Sequence, residues 1–182
     1  MSKIDHVIVL MLENRSFDSI LGRLYTDRID FDGVPGGAYN MVGDQKVSAW
    51  TSDQGEGSGD FTIPTPDPEE DFADITDQIF GTGKAPPAPP TMSGFAENYV
   101  KTGGDPRNVM HGYSPRQLPV ISTLAQHFAV SDRWFASAPN QTWPNRFFVH
   151  TGTAGGYVNN SPLHPPYMME TIFNRWKRSS ID

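Results

Sequence analysis

Two short polar blocks, far apart in the chain, hold the residue types that phosphoryl chemistry uses. The first is Glu13-Asn14, which follows the apolar run Val7 to Leu12. A carboxylate beside an amide oxygen offers two hard oxygen donors, the kind a divalent cation prefers. The second is Thr142-Trp-Pro-Asn145-Arg146. A hydroxyl at a helix start meets the positive end of the helix dipole and free backbone N–H groups, which favour a phosphate oxyanion. Asn145 and Arg146 lie in the same turn as hydrogen-bond donors, and Arg146 is capable of bidentate contact. Each block also has a plain structural use. Glu13 and Asn14 solvate a strand end and help cap a helix. Thr142 serves as an ordinary N-cap, with Arg146 in a surface ion pair.

The other candidates are histidines. His127 and His150 fall inside expected helices and read as structural, whereas His111 and His164 fall in loops, where function concentrates. No His-x-x-x-His pair is present. Gly-x-x-x-x-Gly-Lys-Ser/Thr is absent, as is a strand-to-helix Gly-x-Gly-x-x-Gly. Trp134, Phe135, Trp143, Phe147 and Phe148 read as one aromatic core cluster.

The elements that must position these residues follow from periodicity. His6 to Leu12 is a short continuous apolar run rich in β-branched residues, which predicts a strand buried on both faces. Phe17, Ile20, Leu21 and Leu24 recur at helical spacing after a Ser16 cap. Residues 27–68 form a Gly- and Pro-punctuated excursion, and the loop-rich stretch extends to about residue 92. Within it a helix is expected up to Phe80, stopped by Gly81. Further helices are expected around Phe95 to Val100, from Ser114-Pro115 onward, from Thr142 to a stop at Gly152, and over Thr171 to Lys177. Phe128 to Phe135 reads as a second strand. Strand, helix, strand, helix is the rhythm of an α/β fold with a parallel sheet.

Composition sets the outer bounds. The 182 residues suffice for one domain, and 12% aromatics argue against a disordered chain. With 17 glycines and 16 prolines the domain is loop-rich. A net charge of −7 gives no electrostatic reason to bind nucleic acid or anionic lipid non-specifically. No cysteine is present, which excludes disulfides and thiolate metal sites. No apolar run reaches the length of a membrane span, and no signal-peptide pattern precedes the first expected strand, so the default expectation is a cytoplasmic chain that starts directly with its fold.

His6 to Asp18, with its Glu13-Asn-Arg-Ser-Phe-Asp18 block, resembles the opening signature of the phosphoesterase family, which holds bacterial phospholipases C and acid phosphatases of the alkaline phosphatase superfamily. Leu118 to Phe147 is a second match; Asp67-Pro68 to Gly81 and Glu170 to Arg175 are weaker ones. The resemblance implies an alkaline-phosphatase-like central, mostly parallel sheet flanked by helices and incomplete at the C-terminus, with residues 1–182 as the N-terminal portion of a single phosphoesterase domain. It implies metal-dependent hydrolysis of phosphoric esters, of the phospholipase C or acid phosphatase type, through a covalent phosphothreonine. Thr142 would be the nucleophile, and Glu13, Asn14 and Thr142 the ligands of a divalent metal. Asn145 and Arg146 match the family motif and are read as substrate-binding. The substrate would be a phospholipid or a small phosphomonoester. The family's later Asp pair and later His have no counterpart in these residues, and Glu69 and Glu70 stand where relatives often carry a His. The alternative expectation is therefore a truncated, non-catalytic fragment lacking the second half of the metal site. A sulfatase or phosphomutase of the same superfamily fits the motifs less well.

Overall fold

The computed structural model describes residues 4–55, 57, 59–61, 63–161 and 165–179; His164 lies outside them. The fold is mixed α/β. In chain order it runs α1 (Phe17–Ile20), β1 (Tyr39–Val42), β2 (Gln45–Ser48), α2 (Phe72–Phe80), α3 (Phe95–Val100), α4 (Pro119–His127), α5 (Thr142–Thr151) and α6 (Ile172–Arg178).

Local chemistry explains most helix ends. Ser16 caps α1 by accepting from the Ser19 N–H at 3.1 Å. Gly152 ends α5 in the left-handed conformation, φ 76°. Thr171 and Asn174 form a reciprocal capping box on α6. The Ser114–Gln117 box also forms, with each side chain bonding the other's N–H. It closes a turn rather than a helix, and α4 proper begins at Pro119, whose missing N–H is tolerated at the first helical position.

The sheet differs from the expectation. Among the described residues the named strands form one antiparallel hairpin, with Val42 opposite Gln45 across the two-residue turn Gly43-Asp44. Residues 4–13 and 129–131 carry no strand pairing, nor does the rest of the expected strand up to Phe135. The mostly parallel central sheet is thus not formed by these residues. The physical reason is visible in the exposures: Val7, Ile8, Val9 and Leu10 are 63–93% exposed on both sides of the extended chain. A strand apolar on both faces needs neighbours at its edges and a layer on each face. Phe128, Trp134 and Phe135 are likewise exposed, so the expected five-residue aromatic cluster does not form. Phe147 packs instead with Trp143, Tyr157 and Tyr167, and the two tyrosines meet edge to face.

Packing is strongest where the hairpin meets α2 and α3. Asn40 of β1 is buried; its amide oxygen accepts from Ala96 N–H and so caps α3, whose own flank lacks a capping side chain. Asn98 is fully buried, donates to Asp74 and accepts from Gln78 of α2. Tyr99 is 1% exposed and donates to the Pro66 carbonyl. A Cβ at Gly94 would lie 2.0 Å from the Asp77 carbonyl oxygen, so the close approach of α2 and α3 requires glycine there. A second small core joins Leu21 and Leu24 to Ala125 of α4.

Candidate functional site

α5 starts one residue earlier than a Thr142 cap would make it. The N-cap is Gln141, and Thr142 is the first helical residue. Its hydroxyl therefore sits beside the helix start rather than spanning it. Pro144, in the same turn, is fully buried and anchors that end of the helix. The loop before α5 is fastened by amides. Asn145 donates through Nδ2 to the carbonyls of Ala138, Asn140 and Gln141, at 2.7–3.3 Å. Gln141 accepts from Asn160 N–H, and Asn160 in turn caps the Trp143 N–H at 2.9 Å. One of the free N–H groups expected at this helix start is thus taken by Asn160. Nothing in the sequence pointed to that partner, because Asn160 stands 17 positions beyond Trp143 and not at the helix start.

Asn14 holds a left-handed backbone, φ 71°, which asparagine tolerates better than most residues. It turns the chain from the extended segment into α1. Arg15, beside it, donates to the Ser19 hydroxyl and lies over the Tyr113 ring.

The two blocks meet. Arg146 Nε donates to Glu13 Oε2 at 2.6 Å across 133 positions of sequence. Thr142 and Arg146 stand four residues apart on α5, and such residues share a helix face with Cβ atoms about 5–6 Å apart. The contact thus brings the Glu13 carboxylate to a residue one turn along α5 from Thr142. Both partners of the ion pair are about 40% exposed, and pairs of that exposure contribute about 0.2–1 kcal/mol. That is too little to hold the N-terminal segment in place by itself, so the contact speaks of orientation rather than stability.

The carboxylate of Glu13, the amide of Asn14 and the hydroxyl of Thr142 are oxygen types a hard cation takes. In the loop before α5 and its first turn, the buried amide oxygens of Asn140 and Asn145 have no hydrogen-bond partner among the described residues, where buried acceptors are ordinarily paired. A second carboxylate stands at this helix start, since Glu70 Oε1 accepts from Gln141 Nε2 at 3.2 Å. No group of three or more His, Asp or Glu residues that could hold a metal occurs among the described residues.

His111, a loop candidate from sequence, lies elsewhere. It is 4% exposed, packed between Trp50 and Tyr113, with Nε2 3.2 Å from the Ser52 hydroxyl. Burial pushes its pKa down, Asp60 opposes that shift, and Arg23 and Arg15 reinforce it. Ser52 also receives Gln117 Nε2 and the Asp60 N–H. Asp53 accepts from Ser114, Gly55 and Gly57. His111 thus belongs to a polar clasp that fastens the 51–60 loop.

A carboxylate and a guanidinium thus meet beside a helix that begins at Thr142, on a mixed α/β scaffold. The chain belongs to the phosphoesterase family, whose model matches residues 4–182. It is similar to non-specific phospholipase C1 of Arabidopsis thaliana, 40% identical over 171 residues that cover 92% of this chain and 31% of that protein. Non-specific phospholipase C5 of the same plant is 40% identical over 92% of this chain and 34% of its own length. Non-specific phospholipase C6 is 37% identical over 100% of this chain and 34% of its own. The chain spans about a third of the length of these curated relatives.

Proposed function

We propose that this chain carries the nucleophile and the first half of the metal site of a metal-dependent phosphoric ester hydrolase. The single observation that supports this most is the Glu13–Arg146 contact, since Arg146 lies one turn along α5 from Thr142. Names of the relatives, non-specific phospholipases C, favour a phospholipid ester; a small phosphomonoester presents the same phosphoryl group.

In this reading the Thr142 oxygen forms a bond to phosphorus while the ester P–O bond breaks. The hydroxyl proton passes to solvent, and the departing alkoxide takes up a proton. Water then attacks phosphorus of the threonine-linked intermediate and restores the hydroxyl, releasing the headgroup phosphomonoester from a phospholipid or inorganic phosphate from a phosphomonoester. Glu13, Asn14 and Thr142 would hold a divalent cation, which when bound lowers the pKa of the hydroxyl and offsets charge on the phosphoryl oxygens. Arg146 serves the phosphoryl oxygens with the guanidinium N–H groups that Glu13 does not occupy. Asn145 spends its amide N–H groups on the loop, so its part in substrate binding is to shape the 138–141 backbone beside Thr142. The parallel sheet expected from the sequence fits the same reading. The apolar ribbon 4–12 has the composition of a central strand, and the relatives contain twice as much chain again from which neighbouring strands would come.

A second reading is favoured by one observation. Among the described residues no group of three or more His, Asp or Glu side chains gathers to hold a metal, so the chain as given would bind phosphate esters or metal weakly and turn over nothing. Hydrolysis of a chromogenic phosphate ester with Mn²⁺, Ca²⁺ or Zn²⁺ separates the two, since metal-dependent turnover by these residues alone defeats the second reading. In any preparation that turns over, Thr142→Ala is expected to lower the rate by at least about 10³-fold, of the order lost when a nucleophile is removed. An unchanged rate rules out Thr142 as the nucleophile.

A further inference from the structure

We infer that Arg146 is a positioning residue for Glu13, holding that carboxylate by one oxygen so that the other faces the cation. This rests on the cation site put forward above and adds a role for Arg146 beyond contact with substrate.

The contact has a particular form. It is made by Nε, at 2.6 Å, to Oε2 alone. A guanidinium that meets a carboxylate only to neutralise it favours the two-bond fork arrangement. Here a single bond leaves Oε1 unused and the terminal N–H groups of Arg146 without a recorded partner among the described residues. Glu13 has no other restraint: it is exposed, it follows a segment with no strand pairing, and it precedes a residue in the left-handed conformation. A free glutamate in such a place samples many rotamers, and ordering it costs entropy each time a cation binds. Arg146 is better placed to remove that cost than any other residue described. It is the fifth residue of a regular helix whose first turn is pinned by buried Pro144 and by the Asn145 and Asn160 amide bonds. Ligating carboxylates are in general held by a hydrogen bond of this kind, and loss of such a partner lowers metal affinity about 10–100-fold.

The opposite role, a guanidinium that occupies Glu13 and excludes the cation, makes the opposite forecast. The test is Mn²⁺ binding to this chain, read by electron paramagnetic resonance, for the wild type, Glu13→Gln, Arg146→Ala and Arg146→Lys. Circular dichroism melts accompany each. Glu13→Gln is expected to remove specific binding. Arg146→Ala is expected to weaken it at least 10-fold with the melt unchanged, and added guanidinium should restore part of the loss, which a merely structural role would not show. Arg146→Lys keeps the charge but not the planar fork, so an intermediate loss is expected; it decides the matter if Arg146→Ala fails to fold. Unchanged or tighter Mn²⁺ binding in the Arg146 variants, with Glu13→Gln still defective, overturns the positioning role and leaves the cation site standing. Absence of specific binding in the wild type, or no effect of Glu13→Gln, overturns both.

Discussion

The hairpin with α2 and α3 and the ribbon of residues 4–12 are both rich in apolar or β-forming residues, yet one is packed and the other bare. Around α3, the buried polar groups are answered: Asn40 caps α3, and Asn98 joins Asp74 and Gln78. The ribbon has Ile8 at 93% exposure and no backbone ladder. The difference is whether the partner is present. The hairpin and α3 find theirs among the described residues, across a two-residue turn or across the 56 positions from Asn40 to Ala96, whereas an apolar central strand needs neighbouring strands that these residues do not supply. The site straddles this divide, because Glu13 ends the bare ribbon while Thr142 begins a well-fastened helix.

Substitutions in the two regions should differ sharply. Tyr99→Ala removes a ring that is 1% exposed and whose hydroxyl reaches Pro66. A loss of about 3–5 kcal/mol is expected from the cavity it leaves, read as a lower denaturation midpoint. A loss under about 1 kcal/mol would show that α3 is not the packed centre of this region.

The clasp around His111 should give a smaller, pH-dependent effect. Its folded pKa lies below the ordinary value, so the folded state disfavours the imidazolium. That stability is fully present above the unfolded pKa, about 6.5, and is lost as pH falls through the folded value. The melting temperature should therefore drop on acidification below about pH 6.5, and His111→Gln should flatten that slope. An equal slope in the variant places the titrating group elsewhere; Asp60, Arg23 and Arg15 are the charged groups facing His111.

The smallest effect is expected in the ribbon. Ile8→Lys, at a side chain 93% exposed, should change stability by no more than about 0.5 kcal/mol. It should also reduce self-association, since an exposed apolar unpaired strand is a template for other chains. A large destabilisation would mean that the ribbon is packed after all.

The same divide governed what the sequence revealed. Ser16, Gly81 and Gly152 announce helix ends that the structure has, because each cap acts within a turn. The hairpin at Val42-Gly43-Asp44-Gln45 went unread inside a Gly- and Pro-rich stretch, although Asn40 and Val47 alternate with exposed neighbours. Ser114 and Gln117 formed their box without a helix, as the helix waits for Pro119. His111 was sorted by its loop setting, which says nothing of the Trp50 and Tyr113 rings that bury it. At the site, the motifs at Glu13 and Arg146 were legible from residue types. Their single-bond contact and the amide fastening by Asn145 and Asn160 depend on three-dimensional neighbours that spacing does not encode.

The central claim is that the Glu13-Asn14 turn and the start of α5 share one cation. An Mn²⁺ titration followed by amide line broadening tests it most directly. Amides of Asn14 and Thr142 should broaden together, at the lowest Mn²⁺ added and before those of distant Gly103. Broadening that reaches one of them without the other would contradict it.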